Sequence, residues 1–84
     1  MKLLNIYKLS QNQNSDYDTY DSCIVIAKDE VSARCIHPSG YSKWFNDDWC
    51  NSPDNVTVEL IGKALKGSTI GLVLASFNAL QTAI

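Results

Sequence analysis

An unbroken apolar run, Cys23-Ile24-Val25-Ile26-Ala27, sits between a polar segment and a charged one. A run of this length with no polar position is the mark of a strand that is covered on both faces or placed at the centre of a sheet. Either way it needs neighbours, and a chain of 84 residues can build only one core to hold them. We therefore expect a single domain over 1–84. Its make-up, 45% hydrophobic and 19% charged, is that of a globular chain.

The neighbours are legible on both sides of the run. Leu3 to Leu9 reads as a first strand, free of Gly and Pro. Ser10 to Tyr20 is a polar loop whose Asn and Asp residues favour turns. Lys28 to His37 has the signals of a helix of two to three turns. Asp29 can cap it, Glu30 suits its N-terminal end, and Arg34 and His37 suit its C-terminal end. Val31, Cys35 and Ile36 would give it an apolar stripe, and Pro38 and Gly40 would stop it. Val56, Val58 and Leu60 alternate with polar residues as a half-buried strand does. Gly62 to Ser68 reads as a connection. Thr69 to Phe77 is a last strand, with Gly71 marking a bulge or a close approach.

The order strand, strand, helix, strand, strand predicts an α+β fold. It would be a small antiparallel sheet of about four strands with one short helix on one face (β-β-α-β-β). The predicted core is Ile6, Ile24, Ile26, Val31, Ile36, Val58, Leu60, Leu72 and Leu74.

Charge narrows the partners. The chain carries a net −2, which argues against direct binding of nucleic acid, because backbone contacts need clustered cations. The acids are concentrated between Asp16 and Asp54, where eight of them face Lys28, Arg34 and Lys43, leaving −5 locally. Such a stretch is either a solvated face that keeps a small chain soluble, the reading favoured by its commonness, or a match for a basic protein surface. The N-terminal Met1 to Ile6 has no long apolar segment or cleavage site, and Ile70 to Ala75 is too short to span a bilayer. An odd set of three cysteines, Cys23, Cys35 and Cys50, does not suit a disulfide framework. A cytoplasmic protein with reduced thiols and no membrane partner is the expectation.

Three constellations bear on chemistry. Asn14, Asp16 and Asp18 have the alternate spacing of a calcium loop, but Thr19 stands where that loop needs glycine and Val25 where it needs glutamate. Cys23, Cys35, His37 and Cys50 lack the paired spacing of zinc ligands. No serine elbow or phosphate-binding glycine loop occurs, so no catalytic residue, metal ligand or cofactor is assigned and the chain is not read as an enzyme. Trp44, Phe45 and Trp49 fall within six residues, either as a satellite core or as an exposed contact, the core being favoured in so small a domain.

The partner-binding candidates are then Asp16, Tyr17, Asp18, Tyr20 and Asp21 in the first loop, with Asp47 and Asp48 beside the tryptophans. Carboxylates interleaved with tyrosines can engage a basic surface, since tyrosine supplies contact area with few rotamers to fix.

The combination Asp18-Thr19-Tyr20-Asp21-Ser22, Ala33-Arg34-Cys35-Ile36-His37-Pro38, Val58-Glu59-Leu60-Ile61-Gly62 and Ala75-Ser76-Phe77-Asn78-Ala79 resembles a group of small hypothetical proteins encoded in bacteriophages and prophages. The resemblance implies an accessory protein of the bacterial host cytoplasm that binds and modulates a host protein. Inhibition of a host defence system, of the anti-CRISPR or another kind, is one such role. The alternatives are a structural or self-assembling phage subunit that forms a homo-oligomer through a sheet edge or the Thr69–Phe77 strand, and a small enzyme or metal-binding protein.

Overall fold

The structure, a computed structural model, describes residues 3–14, 19–40, 44 and 48–78. Four strands form one antiparallel sheet: β1 (Asn5–Ser10), β2 (Thr19–Ala27), β3 (Thr57–Lys63) and β4 (Gly71–Asn78). Their spatial order is β3-β1-β2-β4. The hairpin β1–β2 is thus the middle of the sheet, and the Cys23–Ala27 run lies in a central strand. One short helix, α1 (Glu30–Arg34), and a 3₁₀ turn over Pro53–Asn55 belong to the long connection from β2 to β3. This is a small, mostly stranded α+β fold.

The apolar run is not covered on both faces. Cys23, Val25 and Ala27 are buried, while Ile24 and Ile26 between them are only half-buried. The buried cluster is Tyr7 and Leu9 of β1, those three residues of β2, Ala33 of α1, and Trp49, Cys50 and Val56. Ile36, Val58 and Leu72 pack against its margin, as their place in the predicted core requires. The strand residues Ile6, Ile24, Ile26 and Leu74 have the wrong phase and point to the opposite face, Leu74 at 66% exposure. Leu60 is in register with the inward Tyr7 but lies 57% exposed on the edge strand, and Val31 of α1 is 70% exposed. The reason is physical: side chains alternate along a strand, so one residue of phase exchanges the faces, and a run that is apolar at every position does not declare which face is inward. What decides it is the cover. The segment with Trp49, Cys50 and Val56 packs on Tyr7, Leu9, Cys23 and Val25.

The helix keeps its predicted cap but not its length. Asp29 Oδ1 accepts the amide of Ser32 at 2.8 Å, and these hydrogen bonds hold its carboxyl below the usual carboxylate range. Glu30 and Arg34 form an exposed i,i+4 pair at 2.9 Å, of the kind worth about 0.3–0.5 kcal/mol. After Arg34 the chain turns off through Cys35, whose amide bonds back to Ser32 at 3.3 Å. A second turn follows, closed by Gly40 N donating to His37 O at 3.0 Å, with Gly40 at φ +84°. Five helical residues offer one buried side chain, Ala33; the Val31 stripe faces outward.

The ladders carry irregularities. Ile61 of β3 and Val73 of β4 are each left without a partner in the register, as is Asp21 of β2. Such bulges bend a strand and interrupt its pairing edge. From the end of β3 the chain crosses to the opposite edge in the seven residues 64–70, tied at the start by Ala64 N to Leu4 O at 2.8 Å.

Two expected outcomes follow from this core. Trp49→Ala should lower the urea unfolding free energy by about 3–5 kcal/mol, whereas Val31→Ala should stay within about 0.5 kcal/mol. Equal losses would mean that the tryptophan does not anchor the core. Because the Asp29 carboxyl is depressed in the fold, its contribution is complete above the unfolded value near ~3.9 and is lost as pH falls through the folded value. Asp29→Asn should therefore show a shallower acid limb of stability than the parent.

Candidate functional site

One end of the sheet brings together the described residues among those singled out from the sequence, Tyr20, Asp21 and Asp48. Leaving β1, the chain is organised by Gln11. Its Oε1 accepts the amides of Gln13 at 2.8 Å and Asn14 at 2.9 Å, and its Nε2 donates to Asn14 O at 2.7 Å and Tyr20 O at 3.1 Å. The loop is thereby held to the start of β2 by a side chain rather than by a tight turn. It is also stitched to the tryptophan segment. Tyr20 N donates to Asp48 O at 2.8 Å, Asn51 N to Gln13 Oε1 at 3.1 Å, and Asn14 Nδ2 to Trp49 O at 3.4 Å. Two stretches far apart in sequence, the one leading to Asp21 and the one holding Asp48, meet here.

The individual candidates differ in what they present. Asp21 is exposed on its bulge. Tyr20 is half-buried and packs against the core, its ring edge-on to Phe77 at 4.8 Å and to His37 at 6.3 Å. Its ring therefore serves packing as well as any contact. Asp48 is about one-third exposed and sets Oδ1 at 3.4 Å from His37 Nε2. Asp16, Tyr17, Asp18 and Asp47 lie outside the described residues. Trp49 is wholly buried, and Trp44 packs against the core with its Nε1 donating to Cys50 O at 3.0 Å. The two described tryptophans are core rather than an exposed contact.

His37 is the group that sequence reasoning misplaced. It was expected at the helix C-terminus as a charge partner; the helix ends at Arg34, and the imidazole turns inward to 1% exposure. Ser39 N donates to its Nδ1 at 3.1 Å and Ser39 Oγ lies 2.7 Å from the same nitrogen. An Nδ1 that accepts a backbone amide leaves the proton of the neutral ring on Nε2, the side facing Asp48. Trp44 meets the ring at 5.2 Å and 90°, and Trp49 at 6.5 Å. A serine, a histidine and an aspartate in line have the composition of a catalytic relay. Here the ring is sealed by aromatic edges, with Ser39 at Nδ1 and Asp48 on the Nε2 side. The arrangement acts as a clasp between the 37–40 turn and the acidic segment. The only sequence signal for it was the turn His37-Pro38-Ser39-Gly40.

The cysteines divide by burial. Cys23 is buried and its thiol is pushed up to about 12; burial also raises that of Cys50, whose Sγ donates to Ser52 O at 3.4 Å. Cys35 is exposed. Among the described residues no three of His, Cys, Asp and Glu converge on a common point that could hold a metal ion. No described helix is long and apolar enough to cross a membrane.

A thiol titration checks this assignment. In native protein at neutral pH one thiol, Cys35, should react promptly with a disulfide reagent, and all three should react in denaturant. Rapid reaction of two or three native thiols would contradict the burial of Cys23 and Cys50. Compared with protein-family models, curated proteins and solved structures, the chain matches no family model, no curated protein and no solved structure.

Proposed function

We propose that the chain is a non-catalytic accessory protein of phage type that binds a host protein in the bacterial cytoplasm and modulates it through the acidic end of the sheet. The observation that carries this reading is the Tyr20 N–Asp48 O hydrogen bond of 2.8 Å. It brings together two acidic segments that the sequence keeps apart. Like charges drawn to one end repel one another, at a cost to the fold. A basic partner surface converts that cost into complementary potential and a faster encounter. Asp21 on its bulge supplies an exposed carboxylate, and Asp48, one-third exposed and turned in part toward His37, a second. Asp16, Asp18 and Asp47 would add to them, with Tyr17 and Tyr20 as the aromatic component. A basic surface that normally holds nucleic acid has the matching chemistry, and masking it is a direct way to inhibit a defence system.

The test is capture of host proteins on the tagged chain at moderate salt, followed by mass spectrometry. One protein in stoichiometric amount is expected. Replacing Asp16, Asp18 and Asp21 by Lys should weaken its measured affinity at least ~10-fold, about 1.4 kcal/mol. Undiminished affinity of the charge-reversed variant for the same protein would sink the proposal.

A further inference from the structure

The sheet has a second face that the core does not use. Along it the register aligns Ile6 with Ile26 and sets Lys8, Ile24 and Leu74 side by side, with Glu59 beyond Lys8. None of Ile6, Ile24 and Ile26 belongs to the buried cluster or to the hydrophobics packed on it, and Leu74 is 66% exposed. An antiparallel sheet with one solvated face ordinarily presents polar residues there. Three isoleucines and a leucine at its centre are the pattern of a face that meets another surface.

Charge and size indicate which surface. Among the described strand residues the charges of this face balance: Lys8 and Glu59 are cross-strand partners. It therefore offers nothing to the basic partner proposed for the acidic end, and it does not oppose a copy of itself. Four strands about 4.8 Å apart and roughly 20–25 Å long give a flat footprint of about 450 Å² per copy. Two copies then bury on the order of 1,000 Å² once side-chain relief is counted, which reaches the floor of a specific interface. The edges are poorer routes to assembly. Both carry a bulge, at Ile61 and at Val73, and β3 adds Glu59 and Lys63; these devices discourage strand-to-strand addition.

We infer that this face is the interface of a homodimer in which two copies stack sheet on sheet around Ile6, Ile24, Ile26 and Leu74. The sheets would lie about 10 Å apart with strands crossing at roughly 30°, related by a two-fold axis that pairs the same patch on each copy. This does not depend on the function proposed for the acidic end, which the stacking leaves open.

Light scattering across a roughly hundredfold range of concentration reads the outcome. The chain should show twice its 9.3 kDa mass at the upper end. Leu74→Lys, at a site already exposed to solvent, should return it to the single mass. Lys8→Glu, which sets like charges beside Glu59, should weaken the dimer at least ~10-fold. Continued protection of the buried thiols verifies that each variant is folded. A single mass for the parent at every concentration overturns the inference. So does a dimer that both folded variants preserve, which would place the contact on an edge or another surface.

Discussion

Trp49 has no exposed surface, and it belongs to one buried cluster with Tyr7, Leu9, Cys23, Val25 and Ala27 of the sheet. A tryptophan can bury about 200 Å² or more, a large share of what a domain of this size can hide. Seating it orders the connection from β2 to β3, which carries little regular structure of its own. Trp44 follows by bonding to Cys50 O, Asn14 reaches Trp49 O, and Asp48 comes level with Tyr20.

The clasp around His37 follows from the same seat. With the tryptophans in place, a polar ring is enclosed by aromatic edges, and its own turn serves it: Ser39 N donates to Nδ1 at 3.1 Å and Ser39 Oγ lies 2.7 Å from the same nitrogen. A histidine one residue before a proline, in a turn closed by a glycine of positive φ, is delivered to that position by local geometry rather than by the helix before it.

Much of the architecture was legible because its signals are local. The Asp29 cap and the strand character of four segments each depend on a few adjacent residues, and the sheet with one short helix follows from their order. The phase of the strands was not legible, because Cys23 to Ala27 is apolar throughout and only a distant segment chooses its inward side. The length of α1 was overread for a related reason: Val31, Cys35 and Ile36 have helical spacing, but Cys35 and Ile36 already belong to the exit turn. Thr19 and Tyr20 read as loop because the polar residues around them hid a strand whose pairing with β4 is a long-range fact. For the candidate site, charge placement singled out Asp21 and Asp48 individually. Their meeting depends on backbone hydrogen bonds that no local pattern encodes.

The sizes of the inward residues carry a further meaning. Cys23, Ala27 and Ala33 are small, and the bulky branched residues Ile24 and Ile26 sit on the reverse side. If β2 were threaded one position out of step with β1, the two isoleucines would turn toward the buried cluster that holds Trp49. The misthreaded sheet would be as oily as the correct one, yet overfilled, at about 1–3 kcal/mol for each crowded site. Greasiness therefore leaves the chain with two nearly equivalent threadings, and volume separates them. A folding chain can try the wrong one, and it would be expelled only when the tryptophan arrives and finds no room.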